Sequence, residues 1–220
     1  MATVRRYDFE LTGTTPLLMH RDSIEGCDLL SEWRKDKANR NSSVAGDDRS
    51  PPWSWQTYLY EDGEKLVMPF ENLMASIRKA AATMILKKQK TFKEISQSGI
   101  RSAVEYFDFY SAGKPVLLEH IHALKDKPFA EQAEGVKKYG FTLFCKRATI
   151  NGKSKNIRVR PRFNSWGVKG TLHIVADEIT GDRLQELLSA AGDVGLGDWR
   201  PGCKTPGVYG IFSAKVKLAK

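Results

Sequence analysis

Gly195-Leu196-Gly197-Asp198-Trp199-Arg200-Pro201-Gly202-Cys203-Lys204-Thr205-Pro206-Gly207-Val208-Tyr209-Gly210-Ile211-Phe212 holds five glycines and two prolines in eighteen residues. No helix interior or central strand tolerates that density, because glycine has the most backbone entropy to lose and proline lacks a donor. The stretch is a loop of defined shape, and Trp199, Arg200, Lys204 and Tyr209 sit inside it. Before it, residues 183–191 place Leu184, Leu187, Leu188 and Ala191 on one helical face. Before that, residues 170–176 alternate with Leu172, Ile174 and Ala176 on one side. After the loop, Phe212, Ala214, Val216 and Leu218 alternate with Ser213, Lys215 and Lys217, the period of a strand. The C-terminal part thus reads strand, helix, glycine-rich loop, strand.

The N-terminal part reads in a similar order. Residues 4–11 alternate, with Arg5, Tyr7, Phe9 and Leu11 opposite Val4, Arg6, Asp8 and Glu10. Residues 57–68 predict a hairpin around Asp62-Gly63. The spacing of Leu73, Ile77, Ala80, Ala81, Met84 and Ile85 predicts a helix over 71–90, and 104–110 read as a strand. Two β-α-β halves make an α+β chain of ferredoxin-like (RRM-like) type, an antiparallel sheet with helices on one face. Residues 21–56 read as an inserted, mobile finger with one helical piece, and about 100–165 as a β-rich extension. Residues 1–220 form a single domain in this reading. Trp33, Trp53 and Trp55 are anomalous in so polar an insertion, and either staple it to the body or serve a partner.

The chain has a net charge of +9, but the location of that charge says more than its total. Residues 135–176 contain no Asp or Glu and ten cations, Lys137, Lys138, Lys146, Arg147, Lys153, Lys155, Arg158, Arg160, Arg162 and Lys169. A localised surface of one sign attracts polyanions. Strand period puts Arg158, Arg160 and Arg162 on one face at intervals of about 6.6–7 Å, a spacing that suits consecutive phosphates of a single strand. Pro161 within that run implies an edge strand or a bulge. Trp166 and Trp199, flanked by Gly, Asn, Asp and Arg, are the candidates for stacking on bases. The expected nucleic-acid contacts are Lys153, Lys155, Arg158, Arg160, Arg162, Trp166, Lys169, Trp199, Arg200 and Lys204.

Two places resemble the RAMP superfamily of CRISPR-associated proteins. One is Val67-Met68-Pro69-Phe70-Glu71-Asn72-Leu73-Met74-Ala75-Ser76-Ile77-Arg78, where a Pro opens a helix; the other is the glycine-rich loop after a Leu-rich helix. Asp198-Trp199-Arg200-Pro201 departs from the usual apolar-and-Ser content of that loop, as a distant branch would. The resemblance implies an RRM-like core binding single-stranded RNA, a CRISPR guide, as a backbone-type subunit. Such a subunit oligomerises along the strand with other members of a ribonucleoprotein complex.

Other chemistry is sparse. The cysteines Cys27, Cys145 and Cys203 are odd in number and far apart, which suits reduced thiols in the cytoplasm. There is no apolar run long enough for a membrane span and no Walker, GxSxG or HExxH motif. No cofactor or metal is expected. His120 and His122 would share a strand face but lack further ligands. A second reading is a metal-independent endoribonuclease with His20 as base. A third is a phage or mobile-element protein, binding single-stranded DNA or inhibiting a partner through the basic face.

Overall fold

The computed structural model describes residues 4–87, 90–150 and 154–219. The elements are β1 (Arg5–Gly13), β2 (Leu17–Leu18), α1 (Ile24–Lys35), β3 (Val67–Pro69), α2 (Phe70–Ala81), β4 (Ile85–Lys87), β5 (Lys90–Thr91), α3 (Lys93–Gly99), β6 (Ile100–Arg101), β7 (Tyr106–Ser111), α4 (Leu118–His122), α5 (Phe129–Gly135), β8 (Phe141–Ile150), β9 (Ser154–Phe163), β10 (Trp166–Ile174), α6 (Gly181–Val194) and β11 (Phe212–Leu218).

The alternation in β1 buries Tyr7, Phe9 and Leu11 and leaves Arg6, Asp8, Glu10 and Thr12 exposed. β10 does the same with Val168, Leu172 and Ile174, and β7 with Phe107 and Phe109. One-residue slips would turn these sets outward, so register is fixed by burial. The main sheet has the order β11-β1-β10-β7-β3, and β6 pairs with the far end of β10. Its neighbours are antiparallel. The paths β1-α2-β7 and β10-α6-β11 each skip one strand, giving the split β-α-β order of the ferredoxin-like class.

α2 and α6 pack side by side on the inner face of the sheet. Leu73, Ile77, Leu184 and Leu188 are fully buried there, and truncating one of them to Ala costs about 2–5 kcal/mol. Phe9 meets Phe107 edge-on at 4.9 Å. Thr180 caps α6 by accepting from the Arg183 amide at 3.3 Å.

α2 stops at Ala81 rather than running to residue 90. The Thr83 hydroxyl and amide both donate to the Ala80 carbonyl, closing the turn, and the chain then enters the β4–β5 pair. The hairpin expected over 57–68 shrinks to a Glu61–Leu66 bridge followed by β3, because residues 54–58 form a 3₁₀ turn. The insertion is more structured than a mobile loop. It carries α1 and two 3₁₀ turns, at Lys37–Asn39 and Ser54–Tyr58. Trp55 is fully buried, with its Nε1 donating to Gln132 Oε1 at 2.7 Å, so this tryptophan staples the insertion to the body. Within 100–165, β7 belongs to the main sheet and α4 and α5 are helical; the β-rich part is the long β8–β9 hairpin.

That hairpin forms a second sheet, β2-β9-β8. The underside of the hairpin buries Phe141, Val159 and Phe163 against the core, where Phe163 meets Phe109 at 5.0 Å. β9 is not an edge at Pro161. The Pro161 carbonyl accepts from the Met19 amide at 3.1 Å, so its ring nitrogen faces the short β2 side and not the β8 ladder.

Candidate nucleic-acid interface

The upper face of the β8–β9 hairpin is set by register. Thr142, Phe144 and Lys146 on β8 stand opposite Arg162, Arg160 and Arg158 on β9. Two irregular segments close over this face. Gly46–Asp48 of the insertion runs alongside β9, with the Ile157 amide donating to Gly46 O at 2.8 Å and the Asp48 amide to Ile157 O at 3.0 Å. From the other side comes the glycine-rich loop, anchored by the Asp198 amide on Leu18 O at 2.9 Å. Gly210 is required there, because it has φ +74° and a Cβ would collide with the Leu196 carbonyl.

The two segments change what the arginines do. Arg160 is 5% exposed. Its Nε donates to Asp198 Oδ2 at 3.0 Å, its Nη1 lies 3.4 Å from Asp48 Oδ2, and its guanidinium covers the Tyr58 ring at 4.6 Å. Arg158 Nη1 donates to Asp48 Oδ1 at 2.9 Å. Arg160 is therefore an internal clamp that fastens loop and insertion to the hairpin, and its assignment to a phosphate ladder is corrected. A guanidinium this enclosed is kept only with its carboxylates in place. Trp166 is corrected likewise. It is 3% exposed, packs on Phe212 and donates from Nε1 to Thr15 O at 2.8 Å, so it has no face left for a base.

His20 completes the clamp. Its Nδ1 lies 3.4 Å from Asp198 Oδ2, and its ring meets Tyr58 edge-on at 5.0 Å. Burial alone would raise the Asp198 carboxyl, but the hydrogen bonds from His20 and Arg160 and the Arg160 charge outweigh it and hold the carboxyl at about 2. Burial also raises the Tyr58 hydroxyl, with the Asp48 charge adding to it.

Other cations of this face stay outside the clamp. The ion pairs here among the described residues are Arg158–Asp48, Arg160–Asp48, Arg160–Asp198 and His20–Asp198; Lys146, Arg162 and Arg200 enter none of them, and Arg147, opposite Ile157, stands on the other side of the hairpin. Lys146 Nζ sits 4.6 Å above the Trp199 ring. Phe144 lies edge-on to Trp199 at 6.2 Å, Tyr209 is 5.8 Å from Phe144, and Arg162 covers Phe144 at 5.8 Å. The Nε atoms of Arg162 and Arg200 are buried without a hydrogen-bond partner. Trp199 itself has φ +48°, a left-handed backbone that costs a bulky residue on the order of 1–3 kcal/mol. Lys204 is exposed at the outer turn of the loop. Lys153 and the Lys155 side chain lie outside the described residues.

Lys169 is elsewhere. It stands on the open face of the main sheet, 3.1 Å from Glu10, in a row that reads Lys215, Glu10, Lys169, Asp108 across four strands, with Lys65 2.6 Å from Asp108. Alternating signs neutralise one another there. Phe144 and Lys146 were missing from the expected set, although their position opposite Arg160 and Arg158 in a hairpin was a usable signal. His120 and His122 lie on α4, not on a strand; His120 stacks on Tyr139 at 5.1 Å. Among the described residues no group of three or more His, Cys, Asp or Glu could hold a metal, and no helix is long and apolar enough to cross a membrane.

No family model matches the sequence, and no curated protein matches it. Among solved structures, Cmr6 from Pyrococcus furiosus aligns over 98% of this chain and 100% of that one, with 9% identity and a TM-score of 0.38. A likeness of that size says nothing about chemistry.

Proposed function

We propose that this chain binds single-stranded nucleic acid, RNA first, across the upper face of the β8–β9 hairpin and the glycine-rich loop, as a single domain that lines up with copies of itself along the strand. The reading is carried by one observation: Lys146 over Trp199 at 4.6 Å, beside Phe144, where Lys146 and Arg162 of the hairpin and Arg200 of the loop have no carboxylate. Cations without a carboxylate beside an aromatic platform are what a sugar-phosphate strand needs, and Arg200, held by the Gly197 carbonyl at 2.6 Å, keeps its charge uncompensated. Lysine or arginine meets phosphate, and each stacked base adds about 1–3 kcal/mol. The likeness of the 67–78 and 195–212 stretches to the RAMP superfamily points the same way and names a guide RNA as the ligand class. Lys204, exposed at the outer turn of the loop, extends the same track in this proposal.

Fluorescence anisotropy with a labelled single-stranded RNA, and with DNA of the same sequence, tests it. Wild type binds with an affinity that falls steeply with salt, and Trp199→Ala weakens it without unfolding the protein. Binding that ignores salt, or a Trp199→Ala protein that binds as well as wild type, removes the proposal.

The contact between His20 and Asp198 favours a second reading, cleavage of the bound RNA. Asp198 holds Nδ1, which leaves Nε2 of a half-exposed imidazole free to take a proton from a ribose hydroxyl. In that case His20→Ala abolishes cutting and spares binding. Intact RNA after prolonged incubation with wild type ends that reading and leaves the binder.

A further inference from the structure

Where the glycine-rich loop meets the start of the insertion, a cavity of about 480 Å³ opens beside the clamp, walled in part by His20, Tyr60, Asn72 and Tyr106. Its volume lies in the range of small-molecule pockets, about 300–1,000 Å³. His20 belongs to both places. Its Nδ1 reaches Asp198, and its backbone carbonyl accepts from the Tyr60 hydroxyl at 3.1 Å. Burial raises that hydroxyl; a hydrogen bond to Asn72 and the Arg200 charge oppose the shift, and the Asp198 charge adds to it. Arg200, one of the cations without a carboxylate, therefore stands within electrostatic reach of the cavity wall.

The cavity has the opposite character to the hairpin. Its charged lining is Asp22, Glu61, Glu71 and Glu105, with Arg21 as the cation. Arg21 is taken by Glu61, at 2.6 Å. Among the described residues Asp22, Glu71 and Glu105 enter no ion pair. The Phe70 amide donates to Glu105 O at 2.8 Å, which brings Glu105 next to Glu71 at the start of α2. Glu71 also suits the positive end of that helix, but Glu105 belongs to no helix. A phosphate is repelled from such a lining. A flat group whose edge is rich in N–H donors is accepted by it, and the tyrosines add apolar wall for its rings.

We infer that this cavity takes one base out of the bound strand and selects guanine, while the phosphates stay with the cations of the hairpin and the loop. This rests on the proposed binding function and adds a sequence preference to it. Guanine carries N1–H and N2–H₂ side by side on its Watson–Crick edge, so one carboxylate accepts from both. Uracil offers a single N–H between two carbonyl oxygens, which carboxylates repel. A lysine or arginine side chain of a second copy also suits the acids. The two tyrosines, and the wall that His20 shares with the clamp, favour the base.

Fluorescence anisotropy compares three RNAs of roughly eight nucleotides, a length set by the site sizes of single-strand binders. They are oligouridine, the same strand with one guanosine, and the same strand with one inosine, which lacks the N2 amino group. Wild type binds the guanosine strand about tenfold tighter than oligouridine, and the inosine strand loses most of that gain. The variant is E71Q/E105Q, whose positions are both exposed and whose fold is checked by circular dichroism. Removing two negative charges tightens every strand alike, so the quantity read is the ratio of the guanosine strand to oligouridine, which falls to about one in the variant. Equal affinities of wild type for the three strands overturn the guanine cavity and leave the hairpin binder standing. A ratio unchanged in E71Q/E105Q also overturns it, because the preference would then arise elsewhere. Self-association of wild type that E71Q/E105Q abolishes, without a guanine preference, overturns it in favour of a second copy. Wild type that binds none of the strands overturns the binding function, and the cavity's role with it.

Discussion

Two surfaces of this chain carry rows of lysine and arginine, and they differ in what stands next to them. On the open face of the main sheet, Lys65, Asp108, Lys169, Glu10 and Lys215 alternate from strand to strand, so each cation has an acid beside it. On the hairpin, β8 and β9 supply only cations, and the acids come from other parts of the chain. They reach Arg158 and Arg160 and leave Lys146, Arg162 and Arg200 without one. Cation density alone therefore does not identify an interface. The proposed interface rests instead on the cations left over after the fold has used the rest.

The comparison breaks most directly at Arg160. If Arg160 is a clamp and not a ligand contact, Arg160→Ala strands two carboxylates and lowers stability by about 3–5 kcal/mol in urea unfolding. A variant of full stability that has lost only RNA affinity would return Arg160 to the phosphate ladder. Next come the two tryptophans. Trp166→Ala opens a core cavity and costs about 3–5 kcal/mol of stability, whereas Trp199→Ala costs about 1–3 kcal/mol of binding per stacked base. Exchange of those two outcomes would exchange the two roles.

Acid offers a subtler separation. Asp198 has its carboxyl lowered from 3.8 to about 2 in the folded chain, so its contribution is fully present above about pH 4 and is lost as pH falls towards 2. The difference corresponds to about 2 kcal/mol. Asp198→Asn removes that dependence, and the unfolding free energy of the variant then falls less between pH 4 and 2 than that of wild type. Parallel pH curves would mean that the His20–Asp198–Arg160 cluster does not hold the loop.

Much of the architecture was legible because burial imposes a period. The alternations of residues 4–11 and 212–218 and the Leu-rich face at 184–191 each gave the right element, and the glycine-rich stretch gave the loop between them. The site was legible only in part. The acid-free window located the hairpin, but the partners of Arg160 sit 112 and 38 residues away in sequence, at Asp48 and Asp198, where no local period reports them. Trp166 was misjudged on its polar neighbours, although it shares strand parity with Val168, Leu172 and Ile174 and so belongs with the core. The insertion hid its structure for a different reason. α1 buries only Gly26, against Thr57, so its apolar signal is weak.

The smallest expected effect is also the most direct test. The salt dependence of single-stranded RNA binding is measured for wild type, for K146A/R162A on the hairpin and for K169A/K215A on the open sheet. If the leftover cations meet phosphate, the hairpin variant loses about 1.4 from the slope of log K against log salt, and the sheet variant keeps the wild-type slope. Equal losses in both variants, or loss only in the sheet variant, would contradict the account.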